Sequence, residues 1–323
     1  MKKNVFRRAA LAAALFLSVS AAQAKPLKVL MVGNSFSICV LKEMPACAAN
    51  AGETLDLASL YIGGCSLERH WNNIEKASDP DFKPYRFDYS FASVRDAKDA
   101  PVAKLGKKTN IPQALTADRW DVVTIQQASH QSFRPETYQP YADRLIATIR
   151  KLAPQAEIVI QETWSYSPYS ERFAKWKMTP DAMHTALKNA YAQLAAKYKL
   201  RVIPTGDAIQ LYRQKLPVNY GTRLTRQEIS ALAQPQLLDF KGDVTGKSSW
   251  KKGPKGRTLH IDPHHLNDDG NYLQACTWLA ALFGADVTKL TYAPAGLAAE
   301  KAKLMRACAA EAVAAEHAAC ALR

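Results

Sequence analysis

The stretch "LKVLMVGNSFSI" (Leu27 to Ile38) governs how the rest of the chain is read. Apart from Lys28, its first six residues are apolar, which is the content of a strand buried on both faces. Gly33, Asn34 and Ser35 then end the run, and these are ordinary residues for leaving a strand. Ser35 is therefore either a turn residue or a nucleophile presented at a strand's carboxyl end. The remaining sequence has to separate the two.

Four further runs share the strand character: "LDLASLY" (Leu55 to Tyr61), "DVVTIQ" (Asp121 to Gln126), "EIVIQ" (Glu157 to Gln161) and "RVIP" (Arg201 to Pro204). Helix-period segments lie between them. Tyr141, Leu145, Ile149 and Leu152 fall on one helical face, as do Met183, Leu187, Tyr191, Leu194 and Tyr198. Such alternation predicts an α/β domain with a parallel sheet covered by helices on both faces. In these sheets ligands bind beyond the carboxyl ends of the strands, so the strand ends are the places to search. Residues 79–118 and 217–261 are aperiodic and rich in Pro, Gly and charge, and read as surface insertions in one domain spanning 25–290. Within the second, "KSSWKKGPKGR" (Lys247 to Arg257) reads as an exposed loop. The Ala-rich segment 291–323 reads as a helical C-terminal extension.

Residues 1–24 combine a basic start, a short apolar core and "AQA" ending at Ala24, the pattern of a cleaved export signal. The mature chain is expected to begin near Lys25 and to be periplasmic or secreted. No later run has the length and apolar content of a membrane helix. The formal charge of +14 falls to +10 when Lys2, Lys3, Arg7 and Arg8 leave with the signal. That excess suits anionic glycans, a lipid surface or acidic substrates. No dense basic stripe interleaved with aromatics appears, so no nucleic-acid partner is inferred. Six cysteines in an exported chain permit disulfides, and none has the C-x-x-C spacing of a zinc ribbon or redox pair.

Each strand end carries polar residues. Gly63 and Gly64 follow the second run, where their amides could meet an oxyanion or simply form a turn. "IQQASHQS" (Ile125 to Ser132) brings Gln126, Gln127 and His130. "QETWSYSPY" (Gln161 to Tyr169) brings Trp164 and Tyr166, which could wall a pocket or cap the core. Late in the chain, "LHIDPHHLNDDG" (Leu259 to Gly270) sets Asp262 three residues before His265, just ahead of a helix capped by Asn267 or Asp268. An Asp so placed can hydrogen-bond the imidazole nitrogen facing away from a substrate and fix the ring's tautomer. His260, Asp262 and His264 also admit a divalent metal, although a helical H-x-x-x-H pattern and a complementary ligand cluster are both lacking.

Taken together, "LMVGNSFS", "LYIGGCSLERHW", "WDVVTIQQASHQS", "QETWSYSP" and "DPHHLNDDGNYLQACTW" resemble the SGNH/GDSL hydrolase superfamily. More narrowly they resemble its bacterial "GNSFS" branch, a domain of unknown function. The resemblance runs from Leu27 to Gly284. It implies a three-layer α/β/α sandwich of flavodoxin-like type with a five-stranded parallel sheet. It also implies Ser35 as nucleophile, His265 as general base and Asp262 as the group that orients it. The oxyanion hole would combine the Ser35 amide with Gly63 or Gly64 and with Gln126 or Gln127. The glutamine stands in for the Asn of the superfamily's G-x-N-D block, and Asn34 replaces the Asp of G-D-S. Trp71, His130, Trp164 and Tyr166 would line the substrate pocket. The implied activity is that of an exported serine esterase removing an acetyl or other short acyl group from a carbohydrate or small-molecule ester. It would need no metal or organic cofactor. A non-catalytic glycan-binding protein of the same fold, and a metal-dependent hydrolase built on "HIDPHH", are the alternatives.

Overall fold

The computed structural model describes residues 25–216, 226–234, 236–238, 240, 242–254 and 256–321. The expected export signal and its cleavage after Ala24 lie outside the described residues, as does part of the 217–261 segment. Among the described residues the main sheet has seven strands: β1 (Leu27–Gly33), β2 (Leu55–Tyr61), β3 (Tyr85–Phe91), β4 (Lys108–Thr109), β5 (Val122–Ile125), β6 (Glu157–Gln161) and β7 (Arg201–Ile203). Their order is β4-β3-β2-β1-β5-β6-β7. β1 pairs in parallel with β2 on one side and β5 on the other, Val32 standing level with both Leu60 and Ile125. The winding reverses at β1, so a crevice opens beyond its carboxyl end, the usual ligand position in such sheets.

The five parallel strands are those expected from their apolar runs. The sheet nevertheless exceeds the expected five strands, because residues 79–118 add β3 antiparallel to β2 and β4 antiparallel to β3. The sequence "YRFDYSF" buries Tyr85 and Phe87 but leaves its later residues part-exposed. β4 pairs only with Tyr85 and Arg86, so the rest of β3 lies open on its outer side and needs only such partial cover, which is why its charges hid it among the surface insertions.

On one face α2 (Val40–Asn50), α8 (Thr205–Lys215) and α10 (Asp268–Phe283) pack together; α3 (Leu67–Glu75), α4 (Ile111–Ala117) and α5 (Tyr141–Leu152) form a second group. The long α7 (Pro180–Tyr198) runs at the β7 edge, and α6 (Arg172–Trp176) and α9 (Arg226–Ser230) are short. α10 is buried continuously from Gly270 to Ala281, its polar Asn271, Gln274 and Thr277 included, so no side of it faces solvent. A helix buried all round must be covered on its outer side as well. The Ala-rich α11 (Ala299–Ala321) supplies the outer cover, packing on α10 and α8. Cys308 and Cys320 both lie on α11, and all six cysteines are free thiols.

The basic segment expected as a loop is an antiparallel hairpin, β8 (Thr245–Gly253) and β9 (Gly256–Leu266). A buried ion pair anchors its base. Arg213 donates from Nε to Asp243 Oδ1 at 3.0 Å and from Nη2 to Oδ2 at 3.2 Å, and from Nη1 to Ser165 Oγ at 2.6 Å. The Asp243 carbonyl accepts from Asn267 Nδ2 at 2.8 Å, just where α10 begins. Gly270 completes the junction, since a Cβ there would lie 2.4 Å from the Val244 carbonyl. Removing one partner of a buried ion pair leaves the other charge uncompensated. Asp243→Ala should therefore lower unfolding free energy by about 3–5 kcal/mol in urea denaturation, and a loss under about 1 kcal/mol would contradict the role given to the pair.

Candidate active site

β1 ends at Gly33, and the chain turns at once into α1 (Ser35–Ile38). Asn34 caps this helix in extended backbone, its Oδ1 accepting from the Phe36 amide at 3.0 Å. Ser37 closes a capping box, its Oγ accepting from the Asn34 amide at 3.1 Å. The turn is too tight for a side chain at position 33. A Cβ on Gly33 would stand 2.2 Å from Ser37 Oγ. Ser35, the first residue of α1, is thus held at the sheet's carboxyl edge and left partly exposed while Asn34, Phe36 and Ser37 are buried.

Asn34 also joins the neighbouring strand exits. Its Nδ2 donates to the Cys65 carbonyl at 3.0 Å, beyond β2, and its Oδ1 accepts from Gln126 Nε2 at 2.6 Å, beyond β5. The Phe36 carbonyl accepts from Gln161 Nε2 at 2.6 Å and Gln274 Nε2 at 3.0 Å, tying α1 to β6 and α10.

The hairpin brings the late residues to this point. His265 Nε2 lies 2.7 Å from Ser35 Oγ, and His265 Nδ1 lies 2.7 Å from Asp262 Oδ2. With Nδ1–H donating to the carboxylate, Nε2 is left as an acceptor for the Ser35 hydroxyl. Asp262 Oδ1 accepts from the amides of His264 (3.1 Å) and His265 (3.2 Å), so the D-x-x-H segment folds on its own carboxylate. Burial pushes the Asp262 carboxyl up, but the hydrogen bond and charge of His265, with the two amides, outweigh it. The carboxyl is held well below the usual range.

His264 points elsewhere. Its Nε2 meets Ser170 Oγ at 3.0 Å, its ring lies tilted 4.2 Å from Tyr166, and burial pushes its pKa down to about 4. Its carbonyl accepts from Trp164 Nε1 at 3.0 Å, and the Pro263 carbonyl accepts from the Ser167 amide at 2.9 Å. Among the described residues no three His, Cys, Asp or Glu side chains converge as metal ligands; His260 is exposed while Asp262 and His264 are engaged separately.

Several expected site residues have other positions. Trp164 and Tyr166 are fully buried and do not wall an open pocket. Trp164 stacks on Phe36 at 4.1 Å and Tyr166 bonds Ser129, so both support the site from behind. Trp71 packs beneath Arg144 of α5, and His130 is half-buried with Arg172 and Arg134 nearby. Neither lines the cleft at Ser35. Gln127 is not an available oxyanion donor, because its Nε2 donates to Thr137 while its Oε1 accepts from the Leu67 and Ala128 amides. Gln126 spends one amide hydrogen on Asn34. Gly63 and Gly64 form an exposed turn, with Gly64 in the left-handed region (φ 60°), tied to β1 through Asn34 and Cys65. Burial pushes the Cys65 and Cys39 thiols up to about 12, so neither is a competing thiolate.

The cleft, about 320 Å³, is lined by Ser35, His265 and Asp262 together with Ile38, Cys39 and Lys247. The last three were not anticipated, and Lys247 is brought there only by hairpin pairing with Asp262. Sequence distance gives no sign of that register.

The family model DUF4886, described as a domain of unknown function, matches residues 28–221. The chain is similar to a solved DUF4886 family protein from Bacteroides uniformis, with 25% identity, 90% of this chain and 95% of that one covered, and a TM-score of 0.68. A solved protein from Slackia heliotrinireducens, provisionally described as an SGNH hydrolase, is 19% identical over 78% of this chain and 97% of its own, with a TM-score of 0.41. A provisionally described GDSL-like lipase from Parabacteroides merdae is 12% identical over 79% and 94%, with a TM-score of 0.42. No curated protein matches the chain.

The depressed Asp262 carboxyl has a consequence for stability. A carboxyl whose folded value is lowered adds stability that is fully present above its unfolded value, about 3.9, and is lost as pH falls toward the folded one. Urea denaturation of the protein and its Asp262→Asn variant should differ most at neutral pH, with the gap closing progressively below about pH 4. A gap that stays constant into strong acid would contradict this assignment.

Proposed function

The chain belongs to the DUF4886 family, and from that premise we propose that it is an exported serine esterase acting on O-acyl esters. The single observation that carries the reading is the continuous contact Ser35 Oγ to His265 Nε2 to Asp262, 2.7 Å at each step. The resemblance of its "GNSFS" and D-x-x-H segments to the SGNH/GDSL superfamily supports the same roles.

In this mechanism His265 takes the Ser35 proton as the hydroxyl oxygen attacks the ester carbonyl. Asp262 keeps the ring in the tautomer that leaves Nε2 unprotonated, and then stabilises the imidazolium. The oxyanion forms beside the Ser35 amide, whose position at the start of α1 leaves it outside the helix's own hydrogen bonding. The exposed Gly63–Gly64 turn, and the second amide hydrogen of Gln126, are the additional donors. His265 protonates the leaving alcohol, and water then cleaves the acyl-enzyme by the reverse sequence of proton transfers. A cleft of about 320 Å³ suits a short acyl group, acetyl above all, on a hydroxylated substrate. Residues 1–24 would direct the chain out of the cytoplasm, with cleavage after Ala24.

Hydrolysis of p-nitrophenyl acetate provides the test. Ser35→Ala should lower kcat by about 10⁶-fold, and Gln126→Ala by about a hundredfold to a thousandfold, with chelator having no effect. Turnover that survives Ser35→Ala would overturn the serine mechanism, and turnover abolished by chelator would favour a metal-dependent one.

A further inference from the structure

Among the described residues the cleft holds one cation that the proposed esterase chemistry does not use. Lys247 lines it beside Ser35 and His265, exposed on β8 directly across the ladder from Asp262. Asp262 gives both oxygens to His265 and to backbone amides, and Lys247 has no ion-pair partner among the described residues. The charge is not isolated. Lys251 and Lys252 follow on the same strand, and Arg257 stands directly opposite Lys252 on β9. All three are exposed, and no carboxylate pairs with them among the described residues. Like charges directly opposed across a ladder are destabilising. Alternation along β8 puts Lys251 on the ribbon face of Lys247 and puts Lys252 and Arg257 on the other, and an anionic partner would offset the cost of holding these cations together.

The floor of the same cleft bears on what that partner carries. Asn271, in the first turn of α10, is more than nine-tenths buried and lines the cleft, and its side-chain oxygen accepts no hydrogen bond among the described residues. A hydroxyl group answers such an acceptor, whereas an alkyl chain leaves it unpaired.

We propose that the substrate is an anionic glycan ester. A carboxylate or phosphate next to the acylated sugar is held by Lys247, and a further negative group along the ribbon meets Lys251 on the same face. The inference rests on Ser35 being the esterase nucleophile for its chemistry, but the charge preference can be read without turnover.

Steady-state kinetics should be run on acetylated oligogalacturonate, acetylated oligo(glycerol phosphate) and neutral acetylated xylo-oligosaccharide, at low and high salt. One of the two anionic substrates should exceed the neutral one in kcat/KM by about tenfold at low salt, with the advantage shrinking as salt screens it. Which anionic substrate leads identifies carboxylate or phosphate. Lys247→Gln should reduce the anionic-to-neutral ratio by about five- to tenfold, and Lys247→Arg should largely keep it. Equal rates on all three, or a ratio unmoved by Lys247→Gln, would overturn the proposal while leaving the esterase reading intact. If no ester is turned over, the esterase reading fails by itself. Calorimetric binding of the unacetylated oligomers then decides: salt-sensitive binding of an anionic oligomer weakened by Lys247→Gln supports the proposal, and its absence overturns it.

Discussion

The side-chain amide of Asn34 is buried where three parallel strands end, and each of its polar atoms is used. It accepts from the Phe36 amide and from Gln126, and donates to the Cys65 carbonyl, so the exits of β1, β2 and β5 share one residue. A buried amide left unpaired is costly, and one satisfied on three sides fixes its surroundings. The direction in which Ser35 faces follows from that arrangement. Gly33 is required for the same reason, because any side chain there would displace Ser37 and open the cap.

A second anchor brings the distant half of the site to the first. The Arg213–Asp243 pair and the Asn267 bond fix the base of the hairpin, and the loop after β6 grips the Pro263 and His264 carbonyls through Ser167 and Trp164. Phe36 lies between the two halves, stacked on Trp164 and 5.3 Å from the His265 ring. The apolar contact thus sets the spacing between α1 and β9, and the hydrogen bonds set the orientation. At Asp262 burial and hydrogen bonding oppose one another, and hydrogen bonding wins, leaving an ionised carboxylate to orient the imidazole.

The parallel strands were legible because each is a short apolar run broken by turn residues, and Ser35, Asp262 and His265 were legible because they sit in segments with a local pattern. What depends on partners far away in sequence was not. β3 was hidden because most of its length has no outer partner and tolerates charge, and the hairpin because Gly, Pro and Lys dominate its composition. Trp164 and Tyr166 looked like pocket walls, since an aromatic residue in a polar segment gives no indication of the Phe36 and His264 rings that cover it. Gln127 stood as the second choice after Gln126, and only the Thr137, Leu67 and Ala128 contacts show that its amide is already engaged. Lys247 carried no signal at all, its relation to the cleft arising from strand register alone.

The claim on which the account turns is that Ser35 is a nucleophile activated by His265, and covalent labelling reads this without knowledge of the substrate. The protein is treated with a fluorophosphonate, and the adduct is located by intact mass and peptide mapping. The account predicts a single adduct on Ser35, formed far more slowly in His265→Ala. An unlabelled protein, an adduct on another residue, or labelling indifferent to His265 would contradict it.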